Sequence, residues 1–134
     1  MNATILLCDW AEAVNGKLYV LGGGWSRMTA NQPVPLALAI KLGVDWDQAN
    51  KKIPIKVTLV TEDGQSVIIN DQPVVLDAGV EVGRPAGTKP GSTLDAILVF
   101  RFPGLTLDLG GYSWIVEAGG EEAGRIPFDA VAKT

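Results

Sequence analysis

Histidine is absent from all 134 residues of the chain. Without imidazole there is no Ser-His or Cys-His nucleophile, no His-ligated metal and no ring that takes up and releases protons near neutrality. Most hydrolase designs are excluded with it. Cysteine occurs once, at Cys8, so no internal disulfide can form and nothing points to an oxidising compartment. One Cys without His also cannot supply the usual tetrahedral ligands of zinc. Cys8 lies in the apolar run Ile5-Leu6-Leu7-Cys8 and reads as a small buried hydrophobe in a strand. A reactive thiol would need a lowered pKa, and no imidazole is available to lower it.

Charge is sparse as well. Only 19% of residues are charged and the net charge is −4, with Lys51-Lys52 the one adjacent pair among eleven Lys and Arg. Binding to nucleic acid is driven by clustered cations that release counterions, and attachment to an anionic membrane needs the same clustering. Neither partner is expected. No apolar stretch approaches the roughly 18 residues that cross a bilayer. The first residues, Met1-Asn2-Ala3-Thr4, carry no Lys or Arg, and Asp9 interrupts the apolar run behind them, which is unlike a signal peptide. The expectation is a cytoplasmic protein, or a virion-associated one if phage-encoded.

What is present is a hydrophobic content of 47%, the composition of a packed globule, in a length that suits one domain spanning residues 1–134. Strand signals recur between turn residues, and no long segment keeps a helical period. Ile53, Ile55, Val57 and Leu59 alternate with Pro54, Lys56 and Thr58, and the large residues Leu36, Leu38, Ile40 and Leu42 alternate with Ala37, Ala39 and Lys41. Each large set is assigned to a core. Further strands are predicted at Thr4 to Cys8, Lys17 to Leu21, Gln65 to Ile69, Ala96 to Phe102, Tyr112 to Ala118 and Arg125 to Phe128, with one or two short ones inside Val74 to Val82. Asn15-Gly16, Glu62-Asp63-Gly64-Gln65 and Gly119-Gly120 read as tight turns. Gly83 to Ser92 reads as a surface loop, and Trp46 to Asn50 as one helical turn capped by Asp45. Eight or nine short antiparallel strands must close into a sandwich or barrel to hide their apolar faces. Asp108-Leu-Gly-Gly-Tyr112 has the spacing of a tyrosine corner, as against an ordinary turn before a core tyrosine, and so favours an all-β antiparallel two-sheet β-sandwich of Greek-key type.

Candidate sites are few. Gly22-Gly23-Gly24 lacks the Lys and Ser or Thr of a phosphate loop, and reads instead as a strand exit, a bulge or a close backbone approach. Two carboxylates can run glycoside hydrolysis, but the fifteen acidic residues read as a solvated surface. Asp45, Asp47 and Asp63 could meet around calcium at one end of a sandwich, although no EF-hand spacing is present. Four tryptophans are many for this length. Trp114 reads as core, while Trp10, Trp25 and Trp46 flank predicted turns and form a candidate interaction surface. No catalytic, cofactor-binding or metal-binding residue is assigned.

The stretches Leu6-Leu-Cys-Asp-Trp-Ala11 and Gly16-Lys-Leu-Tyr-Val-Leu-Gly-Gly-Gly-Trp25 resemble a family of small uncharacterised proteins from actinobacteria and their phages, a domain of unknown function. The likeness continues through Pro33 to Ala37, Trp46 to Asn50 and Glu62 to Gly64, and more weakly at Gly111-Tyr112. It implies a β-sandwich, a bacterial or phage source and a complete protein, and brings no activity, cofactor or catalytic residue. The resulting expectation is a non-enzymatic protein that works by contact with another protein or with a second copy of itself. The rival is a module whose loops at Trp25, Trp46 and Asp63 hold a carbohydrate or calcium.

Overall fold

The computed structural model describes residues 1–133. Its strands are β1 (Asn2–Val14), β2 (Lys17–Gly23), β3 (Arg27–Thr29), β4 (Val34–Val44), β5 (Ile53–Thr61), β6 (Ile68–Ile69), β7 (Gln72–Pro73), β8 (Val75–Val80), β9 (Leu94–Leu105), β10 (Gly110–Ala118) and β11 (Glu121–Val131). One antiparallel sheet has the order β2-β1-β4-β9, a second has the order β3-β11-β10-β5-β8, and β6-β7 form a small ribbon. The chain is all-β, as the alternating pattern predicts.

Strand number and length differ from the expectation. Eleven strands appear among the described residues, and several are long: β1 spans 13 residues and β9 spans 12. The Asp9-Trp10-Ala11-Glu12-Ala13 segment breaks the apolar alternation without ending the strand, because most of its side chains are exposed on a hairpin. β9 continues through Pro103 because it is an edge strand, where a missing donor is tolerated. Nor are all pairings antiparallel, since β3 runs parallel to the end of β11. The predicted strand Gln65 to Ile69 shrinks to Ile68–Ile69, with Ser66 making one isolated bridge to Val60. Val74 to Val82 yields one strand, β8, paired with β5. Trp46–Gln48 forms a 3₁₀ turn, but the Asp45 side chain makes no cap, because the Gln48 N–H already donates to the Asp45 backbone carbonyl.

One core draws on both large sheets. Leu7 of β1 and Leu36, Leu38, Ile40 and Leu42 of β4 pack with Ile53, Ile55, Val57 and Leu59 of β5, Trp114 and Val116 of β10 and Phe128 of β11. Each fully buried aliphatic side chain contributes about 1.5–3 kcal/mol. Trp114 is fully buried, with its ring centroid 5.2 Å from that of Phe102. At the β9–β10 connection the Tyr112 hydroxyl donates to the Asp108 carbonyl at 2.8 Å, the back-bond that a tyrosine corner requires.

Asn15 and Gly16 join β1 to β2 with φ of +50° and +74°. Two consecutive positive values suit the type I′ turn, whose twist matches that of the strands it joins.

Candidate functional site

β1 changes neighbours midway. From Asn2 to Cys8 it pairs with β4, and from Cys8 to Val14 it pairs with β2, so Cys8 alone lies opposite residues of both. The outer half of β1 is thereby free of β4, and with β2 it curls back over the outer face of the four-stranded sheet. Ala11 packs there on Cys8, Ala37 and Ala39, with Leu18, Val20 and Val99 around them, in a second apolar cluster separate from the main core. Ala37 and Ala39 are buried although they point away from that core. Their small size is what lets a second layer approach. On the free side of β1 the Arg101 guanidinium donates to the Ala11 carbonyl at 3.0 Å and lies 4.7 Å from the centroid of the Trp10 ring.

With one hairpin face occupied, the other turns to solvent. Cross-strand pairs Trp10–Leu21, Glu12–Tyr19 and Val14–Lys17 alternate with pairs on the covered face, so these six side chains share the outward one. Trp10 is 46% exposed, Val14 43%, Tyr19 56% and Leu21 67%. These are four of the eight exposed large hydrophobic residues among those described.

A cleft of about 360 Å³ opens beside the base of this hairpin, lined by Asp9, Trp25, Arg27, Thr29, Gln32 and Pro33 among others. Next to it the glycine run crosses close to β1. The Gly24 N–H donates to the Leu7 carbonyl at 2.9 Å, and Gly22, at φ +61°, lies so close to the Asp9 carboxylate that a Cβ there would collide with it. The Gly22-Gly23-Gly24 run is thus a close backbone approach. Trp25 packs against the main core, and its buried Nε1 has no hydrogen-bond partner.

The model of a family of unknown function, DUF6941, matches residues 3–131. The chain belongs to that family. No curated protein matches it.

In this DUF6941 chain the three tryptophans singled out from sequence do not meet. Trp10 lies within β1 rather than beside a turn, and Trp25 occupies the gap between β2 and β3. Trp46 follows the end of β4 that pairs with Asn2, whereas Trp10 lies beyond Cys8, at the Ala37 end, and Trp25 borders a cleft with Asp9, Val34 and Pro35 at that same end. Arg84 occupies the Trp46 ring, 4.4 Å from its centroid, and donates to the Trp46 carbonyl at 2.7 Å. Asp45 and Asp47 precede β5 and Asp63 follows it, so the nine residues of that strand separate them. The loops at Trp25, Trp46 and Asp63 therefore assemble no common site.

Sequence reasoning missed Val14, Tyr19, Leu21 and Arg101. A signal for two of them, Tyr19 and Leu21, was present. In Lys17-Leu-Tyr-Val-Leu21 the alternate sets Leu18, Val20 and Tyr19, Leu21 are both apolar, so this stretch of β2 has no polar face to turn to solvent.

Cys8 is sealed at the junction of the two clusters, and its thiol donates to the Ala37 carbonyl at 3.4 Å. Burial, followed by the neighbouring Asp9 charge, pushes its pKa above the ordinary value of 9.0. The folded state therefore holds this proton more tightly than the unfolded one. The stability contribution is complete below pH 9.0 and is lost as pH rises through the elevated folded value. Burial and Asp108 raise Tyr112 above 10.0 and extend the same trend. Urea midpoints measured from about pH 8 to pH 11 should fall with pH, more gently for Cys8→Ala. A chain equally stable across that range would contradict this account, as would a native thiol that reacts promptly with a disulfide reagent.

Proposed function

We propose that this protein is non-catalytic and acts by protein contact through the outward face of the β1–β2 hairpin. The observation that carries the reading is the set Trp10, Val14, Tyr19 and Leu21, all on one face and all substantially exposed. Single exposed hydrophobes are ordinary, but a contiguous apolar area with aromatic anchors has the make-up of an interface centre. The covered face and the Arg101 contacts hold this area in a defined shape, which reduces the ordering cost of binding. The absence of histidine supports a role without chemistry. The scattered cations speak against nucleic acid and anionic membrane as partners.

We further propose that the two large sheets form a Greek-key sandwich, supported by the core they share and by the Tyr112–Asp108 bond. A bacterial or phage source, with a place in the cytoplasm or virion, rests on the Cys8 to Trp25 motif resemblance.

The test is capture from an extract of the encoding organism, using the immobilised chain and its Tyr19→Lys/Leu21→Lys variant. Both positions are more than half exposed, so the variant should keep its circular dichroism and melting temperature while losing the captured protein. Retention of every captured protein by the variant would sink the proposal. A second reading is favoured by the cleft, where Asp9, Arg27, Thr29 and Gln32 converge beside Trp25 in a volume suited to a small ligand. Thermal shift against calcium, chelator and a glycan panel examines it, since a ligand of the native state raises the melting temperature.

A further inference from the structure

We propose that β2 docks edge to edge on β2 of a second copy of this chain, antiparallel about a two-fold axis at Val20, joining two four-stranded sheets into one of eight. The proposal rests on the hairpin as the contact surface and names its partner.

The choice of edge follows from how the edges of the two large sheets are protected. Those edges are β2 and β9 in one sheet and β3 and β8 in the other. Natural edges are blunted by shortness, charge or proline, because an open row of N–H and C=O groups templates another strand. β3 has three residues, β8 carries Asp77, and β9 carries Asp95, Arg101 and Pro103. β2 reads Lys-Leu-Tyr-Val-Leu-Gly-Gly, with no proline and with its single charge at the first position. It is the unguarded edge.

The choice of a second copy follows from the residues on that edge. β2 has seven residues, Lys17 to Gly23, and Val20 is its centre. A two-fold axis at Val20 sets the extended residues around it against their symmetry mates, with Gly22, at φ +61°, a local bulge in the ladder. Tyr19 then faces Leu21 of the second copy, and Lys17 comes opposite the Gly22-Gly23 end, which has neither charge nor side chain to oppose it. In-register parallel pairing would instead put each Lys17 against its own copy. Across the joined strands the outward face runs Trp10, Leu21, then Tyr19 and Glu12 of the second copy, and the same row recurs in reverse. Aromatic and aliphatic side chains thus meet at each central cross-strand position, where such pairs stabilise a sheet. The exposed areas of two copies merge into one, with Glu12 and Lys17 at its margins.

Light scattering and sedimentation of the full chain should give a concentration-dependent dimer. In Tyr19→Lys/Leu21→Lys each new lysine faces another across the axis, so the dissociation constant should rise by more than about a hundredfold with the circular dichroism unchanged. Cross-linking reads the register. A mixture of Tyr19→Cys and Leu21→Cys chains should oxidise to a disulfide heterodimer, because directly opposite residues lie about 4.5–5.5 Å apart. Neither variant should link to itself, since same-face diagonal positions lie about 7–8 Å apart, beyond disulfide reach. Cys8 is fully buried and does not compete.

A chain that is monomeric at every concentration overturns the proposal, as does a dimer indifferent to the double lysine variant or a Tyr19→Cys chain that cross-links efficiently to itself. If the chain is monomeric and the lysine variant still loses a protein of different sequence, the hairpin reading stands and β2 serves another strand. If neither self-association nor capture responds to the variant, both readings fall.

Discussion

Trp114→Ala should lower the unfolding free energy by about 3–5 kcal/mol, a large part of the roughly 5–15 kcal/mol that holds a domain of this kind together. Trp114 is the largest of the fully buried side chains, central in β10 and stacked on Phe102 from the opposite sheet. Its removal takes apolar area from water-free packing and leaves a cavity that two hydrogen-bonded sheets cannot easily close, and both effects act in the same direction. Trp114→Phe is the informative companion. The indole Nε1 is buried without a partner, so tryptophan already carries a desolvation penalty of about 1–3 kcal/mol that phenylalanine does not. The phenyl ring keeps most of the stacking surface, and the relief of that penalty offsets part of the smaller cavity. Chemical denaturation followed by far-ultraviolet circular dichroism should place Trp114→Phe much nearer the parent than Trp114→Ala. Equal losses for the two would mean that a phenyl ring at this position recovers none of the packing that the indole provides.

Ala39→Leu should destabilise by about 1–3 kcal/mol, with its effect localised to the curled hairpin. Ala39 is almost completely buried on the outer face of β4, beneath Leu18 and Val20 and beside Val99. Added methylenes can be housed only by lifting β1 and β2 from the sheet or by forcing strained rotamers. Hydrogen exchange should quicken in Ala11 to Val20 while β5 and β10 in the other sheet stay protected. If position 39 took leucine with no change in stability or exchange, the second layer would be looser than described. Because this layer shapes the outward face, a loosened hairpin should also bind partners more weakly, without any change to Trp10, Tyr19 or Leu21 themselves.

The large elements were legible because their patterns obey period two. Ile53 to Leu59 and Leu36 to Leu42 alternate cleanly, each with one face in the main core, and the Asn15-Gly16 turn carries its own backbone requirement in its residue types. The Tyr112 back-bond to Asp108 was readable from a five-residue spacing. The second half of β1 was not. Asp9 to Ala13 reads as a break because alternation reports burial on a single face, and here the strand leaves one neighbour for another and offers its faces to different surroundings. Trp10 was assigned to a turn for that reason. The alanines of β4 were set against the large core residues with no partner of their own, since nothing local says that a distant hairpin covers them.

From sequence alone came the all-β class, the main core and the exclusion of imidazole chemistry, because side-chain alternation, turn residues and composition are properties of neighbours along the chain. Tertiary structure alone decided that β1 and β2 curl onto Ala37 and Ala39, that Asp9 and Trp25 border one cleft while Trp46 lies at the far end of β4, and that Tyr19 and Leu21 face outward beside an unguarded edge. Those outcomes depend on which strands, dozens of residues apart, come to pack together. Both faces of Lys17 to Leu21 are apolar, and only the folded chain determines which of them is buried and which remains open to a partner.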